Sequence, residues 1–344
     1  MNATATTDAP IASGSPQLSV IIPTYNRRNA VQRAVDSVLQ QAGAIRLEII
    51  VVDDGSTDAT DAAIRDRYGD DVRVQLIVTR NRGVSAARNT GFAAARGDLV
   101  HFLDSDDWVL PHTVGLVAQV FDQYADLQFL YVEGCTLPRT GKPARVRVAR
   151  DECPGWQRGD VIGRPGFRHE SVDLRRGDTV VGGHLASGDF FSAIVKGGLF
   201  FLSGLFIRRP AAAAAGPFFE PFHLWEDWDF HARLCLEGPG GYLDYIGFCR
   251  DVGRGDQLSD AVSGLRFAAM HCRIVRRLQA SGRVRAPRQQ RELAVAVADA
   301  NYWMGRCLLA TKHHRLARRL LLDSLLHGHK PLRSSALIAR SWLP

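Results

Sequence analysis

The sequence predicts an α/β protein: a mostly parallel sheet flanked by helices, followed by a basic helical C-terminal region. Short unbroken apolar runs, Leu18–Pro23 (LSVIIP), Leu47–Val52 (LEIIVV) and Leu99–Leu103, have the pattern of strands buried on both faces. Strand and helix alternate every ~25–30 residues, the rhythm of parallel strands joined by right-handed crossovers. From Ala261 onward only Leu/Val/Ala periodicity punctuated by arginine remains, which predicts three or four helices.

Taken in order, Leu18–Pro23 is a strand ended by Pro and Asn. Val31, Ala34, Val35, Val38 and Leu39 then recur at helical spacing, giving an amphipathic helix of about three turns. The second strand, Leu47–Val52, breaks at Asp53-Asp54-Gly55-Ser56. Asp58 to Arg67 reads as helix and Val72–Val78 as a third strand. Gly83 to Arg96 is an Ala-rich helix closed by Gly97, and Leu99–Leu103 is the fourth strand. A helix over Val114–Tyr124 and a strand over Leu127–Val132 follow. Residues 138–189 hold nine Gly and nine Arg with few apolar clusters, predicting an irregular insertion. Pro210, five alanines and Gly216 make a short helix with its start and stop residues in place.

With 344 residues the chain exceeds one ordinary domain of ~100–200 residues. Hydrophobic content of 46% with 23% charged residues excludes a disordered or collagen-like chain. No apolar run reaches the ~18 residues of a membrane span; the best, Gly197 to Ile207, is too short. Residues 1–16 lack the basic and apolar regions of a signal peptide and are expected to be a disordered leader. The six cysteines are scattered without a C-x-x-C pair, which argues against a zinc site or a disulfide framework and fits a reducing, cytoplasmic compartment. Charge is unevenly spread: 16 Lys+Arg against 4 Asp+Glu from Asp260 onward, a net +12, against −5 for the rest.

Polar residues collect where three strands end, at Thr24-Tyr25-Asn26-Arg27, at Asp53-Asp54 and at Asp104-Ser105-Asp106-Asp107. The carboxyl edge of an open α/β sheet is where ligands bind. Five carboxylates on one such edge repel each other, so something cationic or hydrogen-bond-donating must sit among them. Asp104-x-Asp106 offers two carboxylates that can share a hard divalent cation while leaving positions for substrate phosphates; a solvated acidic turn is the plainer reading. Asp53 can accept from a uracil N–H or a ribose hydroxyl, or cap a turn. A dinucleotide-dependent dehydrogenase is excluded by the first loop, PTYNRR, which lacks the glycines needed for close pyrophosphate approach.

VIIPTYNR, VVDDGSTD, RNRGVSAARNTG, FLDSDDW and WEDWDFHARL, in this order and spacing, resemble the family 2 glycosyltransferases of the GT-A fold. The resemblance is dense over Leu18–Trp108 and looser over Phe201–Leu236. It implies that residues 17–110 bind a nucleotide-sugar and 111–259 the acceptor, with 260–344 as the helical C-terminal region. It places Pro23, Thr24, Tyr25 and Asn26 in the nucleotide pocket, Asp53 on the base, Arg88 near the sugar-nucleotide, and Asp104, with Ser105, near the ribose. Asp106 then holds Mg²⁺ or Mn²⁺ on the diphosphate. It assigns the general base to Asp227, with Glu226 orienting neighbours, and suggests Trp108, Trp225 and Trp228 as acceptor contacts. The plainer reading of Glu226 and Asp227 is first-turn acids complementing a helix dipole.

The implied activity is inverting transfer of a sugar, from a UDP-sugar, to a hydroxyl of a glycan or lipid-linked acceptor in cell-envelope polysaccharide synthesis. A nucleotidyltransferase making sugar nucleotides, or a carbohydrate-binding relative without turnover, are the alternatives. One departure stands out. Many relatives have Tyr-Arg-x-His and a nearby Ser after the WEDW helix; here the stretch reads Phe248-Cys249-Arg250-Asp251-Val252, with Gln257-Leu258-Ser259 trailing. Arg250 or Arg254 can neutralise phosphate in the histidine's place; an unusual donor site is the other option. The arginines of 138–189 suit an anionic acceptor, or simply a surface loop. The basic helices beyond 260 can dock peripherally on the anionic inner face of a membrane, or pack their leucines and solvate their arginines. Nucleic-acid binding is not expected, because the basic region lacks aromatic interleaving. His313-His314 and His327-Gly328-His329 have no evident third metal ligand.

Overall fold

The computed structural model describes residues 17–41, 45–138, 145–153, 156, 161–176, 178–252, 264–327 and 331–341. The leader at 1–16, Arg254, Gln257–Ser259 and His329 lie outside these residues, as do parts of the 138–189 insertion. β1 (Leu18–Thr24), β2 (Leu47–Asp53), β3 (Val74–Val78) and β4 (Leu99–Phe102) run parallel in the order β3-β2-β1-β4. All of β1, β2 and β4 is buried, which is why their sequences are unbroken rather than alternating. β3 lies at the edge, half-exposed, and begins at Val74; the fully turned-out Val72 is in the preceding turn.

The crossover helices α1 (Arg28–Leu39), α2 (Thr60–Tyr68) and α3 (Val84–Ala94) join these strands. α1 buries Val31, Ala34, Val35 and Val38, the stripe its periodicity predicts. The Ala-rich helix ends at Ala94, before Gly97, so that glycine is not its stop signal. Gly97 instead lies against β1, where an added Cβ would come within 2.6 Å of the Ser19 nitrogen.

Next come β5 (Asp107–Val109), α4 (Thr113–Gln123), β6 (Phe129–Pro138), β7 (Arg145–Val146) and α5 (Val148–Glu152). They are followed by β8 (Arg168–Arg176), β9 (Thr179–Gly188), α6 (Phe191–Ile194), β10 (Leu205–Arg208), α7 (Arg209–Ala215), α8 (Glu226–Leu234) and β11 (Gly240–Val252). The sheet continues β4-β10-β6-β11-β9-β8. β10 is antiparallel to both neighbours, and β11 is parallel to β6. α7 starts with Pro210 and stops at Gly216, as the sequence indicates.

Part of the expected irregular insertion is regular. β8 and β9 form an antiparallel hairpin that joins the sheet through β11. Only one face of it is covered: Val172, Leu174 and Leu185 are buried while Arg175, Arg176 and Val180 stay exposed. Its apolar residues therefore come singly or in pairs, and no run betrays the strands.

Four C-terminal helices are described: α9 (Gly264–Ala280), α10 (Pro287–Ala310), α11 (His314–Leu326) and α12 (Pro331–Arg340). Ile274, Val275 and Leu278 of α9 and Leu293, Ala296 and Ala300 of α10 share the core of the sheet. Ala317 and Leu320 of α11 pack instead with Leu308 in a separate cluster. No helix among the described residues is long and apolar enough to cross a membrane. All six cysteines are free thiols.

Candidate active site

The loops after β1, β2 and β4 are laced into one edge. Asn26 N–H donates to Ser56 Oγ (2.8 Å), and Thr57 N–H donates to Asn26 Oδ1 (2.7 Å). Arg27 then ion-pairs with Asp106 on the β4 loop. Asn26 has φ +51°, a left-handed conformation that Asn tolerates better than most residues. Gly55, at φ +79°, closes the turn after Asp54, where a Cβ would lie 2.9 Å from the Asn81 nitrogen.

Asp53 and Asp54 divide the work. Asp54 accepts the N–H groups of Arg82 (3.0 Å) and Gly83 (2.7 Å) and so fixes the entry to α3. Asp53 is buried; its Oδ1 accepts Ser56 N–H at 2.9 Å. Its Oδ2 and the Thr24 hydroxyl are both buried with no protein hydrogen bond. Leaving such groups unpaired costs about 1–3 kcal/mol each, so both are available to bond with water or a ligand. Pro23 is buried within β1, and the Tyr25 ring stands exposed at the rim.

The carboxylates at the end of β4 are matched by arginines, which answers the repulsion foreseen from their spacing. Arg88, on α3 and 5% exposed, donates to Asp104 Oδ1 and to Glu226 Oε1, each at 2.7 Å. Burial would strip its charge, but the two carboxylates more than reverse that, so it stays a cation. Arg33 donates to the Asp106 carbonyl (3.0 Å) and to Asp251 (2.8 Å), and its guanidinium lies 4.0 Å over the Trp108 ring. Asp107 accepts Ser203 Oγ–H at 2.6 Å; burial pushes its carboxyl well above the usual range, opposed by Arg250. The register of β5 on β11 sets Arg250 opposite Asp107. Arg250 also pairs with Glu152 (3.0 Å) and lies 4.0 Å over Phe201. Ser105 is buried between these groups.

α8 supplies the last two acids. Trp225, ahead of it, has φ +55°, an outlier for so large a side chain and a local strain beside the site. Asp227 is half-buried. Burial and then Glu226 push its carboxyl up to about 7, against the pull of Arg88 and of the Trp228 N–H at 2.8 Å; Asp104 adds a smaller upward push. The positive end of α8 favours the anion, so desolvation wins over the dipole. Asp104, Arg88, Glu226 and Asp227 thus form one cluster of charges.

The three tryptophans do not share a role. Trp228 is a core residue: its indole N–H donates to the Ile194 carbonyl at 2.6 Å and its ring packs on Phe267 and His271. No face is left for a sugar, which corrects the expectation for that residue. Trp225 is half-buried, edge-on to Phe267 at 4.9 Å, and Trp108 lies beneath Arg33.

Asp104 and Asp106 fit a hard divalent cation by donor chemistry, two carboxylates at the mouth of a strand. Among the described residues no cluster of three or more His, Cys, Asp or Glu side chains encloses a metal, His313, His314 and His327 included. A cation here completes its shell from substrate oxygens, as Mg²⁺ commonly does. Several contributors escaped the sequence reading, namely Arg27 as partner of Asp106, Ser203, Glu152 and the burial of Asp107. The charge imbalance of the β4 loop was the one available signal.

Comparison with known proteins places this arrangement. The family model Glycosyl transferase family 2 matches residues 19–163. A chondroitin synthase of Pasteurella multocida is 38% identical over 116 residues, covering 34% of this chain and 12% of the synthase. The chain therefore matches a small part of that relative's length. Among solved structures, S. aureus TarS in complex with UDP-GlcNAc superposes with a TM-score of 0.57 at 18% identity, covering 95% of this chain and 89% of that one. The mannosyltransferase PcManGT from Pyrobaculum calidifontis, in complex with GDP-Man and Mn²⁺, gives 0.54 at 18% identity, covering 97% and 86%. At such identities the structures establish the fold. Residues 19–163 are thus a glycosyl transferase family 2 domain, in a chain whose fold is of the GT-A type.

Proposed function

We propose that this chain moves a sugar from a nucleotide-diphospho-sugar, a UDP-sugar, to a hydroxyl of a glycan or lipid-linked acceptor with inversion at the anomeric carbon. The observation that carries the reading is the Arg88 bridge, which joins the strand-four carboxylate Asp104 to the acidic start of α8.

In this reading Asp53 Oδ2 and Thr24 Oγ1 receive the base and Tyr25 covers it, while Asp104 and Ser105 face the ribose and Asn26 fixes the loop. Asp106, beside Asp104, would hold Mg²⁺ or Mn²⁺, which when bound supplies charge stabilisation for the departing diphosphate. Asp227 accepts the proton of the acceptor hydroxyl as it attacks. A carboxyl near 7 suits that task, since half of it is ionised at neutral pH and it remains basic enough to take the proton. Glu226 holds Arg88 and raises Asp227 electrostatically. Arg250 lies in the segment that lacks the family's histidine, where it balances Asp107 and Glu152. Trp225 is the tryptophan best placed to meet an acceptor.

A peripheral membrane contact at the cytoplasmic face is part of the proposal. It is supported by Leu316, Leu322, Leu326 and Leu332, all exposed on α11 and α12 beside the exposed Arg315, Arg319 and Arg333. Cosedimentation with anionic but not neutral vesicles checks it. The transferase is separated from a nucleotidyltransferase by assaying nucleotide release from UDP-sugars against pyrophosphate release from UTP plus sugar phosphate. Release only from the latter pair would overturn the reading.

A further inference from the structure

β6 and β11 run side by side and parallel, and their register sets Cys135 directly opposite Cys249. Neighbouring strands lie about 4.8 Å apart, within the roughly 4.4–6.8 Å between Cα atoms that a disulfide accepts. The two side chains share one face of the sheet, because the Cys249 S–H donates to the Cys135 sulfur. That bond holds the Cys135 thiol down to about 7 against the upward push of burial. The same bond, and then burial, raise the Cys249 thiol well above its ordinary value. The other four thiols, of Cys153, Cys235, Cys272 and Cys307, are all pushed up by burial. Cys135 is 9% exposed and Cys307 more so. Exposure therefore ranks Cys307 as the most reactive thiol, whereas thiolate character ranks Cys135.

We propose that Cys135 and Cys249 form a site of reversible oxidation, at which hydrogen peroxide converts the paired thiols into a cross-strand disulfide. The Cys135 sulfur attacks one peroxide oxygen and the O–O bond breaks. The other oxygen leaves as water with the Cys135 proton, and a sulfenic acid remains. The Cys249 sulfur then attacks the Cys135 sulfur; the S–S bond forms, the S–O bond breaks, and the hydroxyl leaves with the Cys249 proton as a second water. The two thiols give up two electrons and the peroxide takes them. A small thiol reverses the bond by exchange. The site lies close to the β4 loop. Cys249 is paired with Trp108 of β5, and the next residue, Arg250, with Asp107. The inference stands on the strand register and the thiol contact, independently of the donor and acceptor assigned above.

The test is a timed exposure of the full chain to hydrogen peroxide at neutral pH. Remaining thiols are blocked with iodoacetamide, and peptides are mapped by mass spectrometry without reduction. Cys135 and Cys249 should leave the blocked pool together, as one linked peptide pair, at least about fivefold faster than Cys307. Dithiothreitol should restore both. In Cys249→Ser the linked pair should be absent, and Cys135 should be trapped by dimedone as a sulfenic acid that the parent chain does not accumulate. Cys307 reacting ahead of Cys135 overturns the proposal. So does oxidation of Cys135 in the parent chain without a link to Cys249. The parent chain's peptide map decides the matter even if Cys249→Ser fails to fold.

Discussion

Arg88 joins Asp104 at the end of β4 to Glu226 at the start of α8, the latter 138 residues along the chain from Arg88, by one N–H on each carboxylate at 2.7 Å. The carboxyl edge of the sheet and the helix that carries the candidate base are coupled through this buried cation.

Arg88→Ala leaves Glu226 buried without its partner and removes the link to Asp104. Breaking one side of a buried pair typically costs about 3–5 kcal/mol, so urea denaturation should show a stability loss of that order. Nucleotide release should fall far more than the remaining folded fraction explains. Arg88→Lys should recover stability in part but not the two-pronged geometry.

Asp53→Asn keeps the shape of the side chain and the acceptor for Ser56 but removes the charge. A hydrogen bond to a charged group is worth about 1.5–3 kcal/mol. UDP affinity measured by calorimetry should therefore drop about ten- to a hundredfold, with little change in melting temperature. Unchanged UDP affinity would place the base elsewhere.

The pH profile follows from Asp227. The ionised carboxylate is the active form, and burial raises its pKa to about 7, so kcat/KM should fall as pH drops through about 7. Glu226 is the second cause of that elevation. Glu226→Gln removes a like charge and leaves Arg88 less neutralised, and both effects lower the Asp227 pKa. The acid limb should therefore move to lower pH, and a shift to higher pH would contradict the assignment.

Trp228 and Trp225 should separate under mutation. Trp228→Ala empties a fully packed site and breaks the bond to Ile194, with an expected stability loss of about 3–5 kcal/mol and no specific effect on acceptor KM. Trp225→Ala should cost less stability and raise acceptor KM. Equal behaviour of the two would contradict this division.

The first half of the fold was legible because β1, β2 and β4 are buried on both faces, so hydrophobicity alone marks them, and the charged residues at their ends stand out against it. The β8–β9 hairpin was not, since a strand covered on one side and rich in arginine carries no run to detect. Asp53, Asp104, Asp106 and Asp227 stand out as candidates by motif and position. Trp228 misled because WEDW puts two tryptophans around the acids, whereas Trp228, inside the helix, is fully buried and Trp225, ahead of it, only partly. The partners Arg27, Ser203 and Glu152 were invisible because each meets its carboxylate through tertiary packing rather than sequence spacing.

The central claim, that Asp227 removes the acceptor proton in the hollow that binds the donor, is tested most directly by Asp227→Asn. Donor binding and nucleotide release should be measured on the same samples, across UDP- and GDP-sugars with Mn²⁺. The account predicts that release falls about 10²–10⁴-fold while the dissociation constant for the preferred donor changes by less than about threefold. Release that persists near the parent level, or donor binding that collapses together with it, would contradict the account.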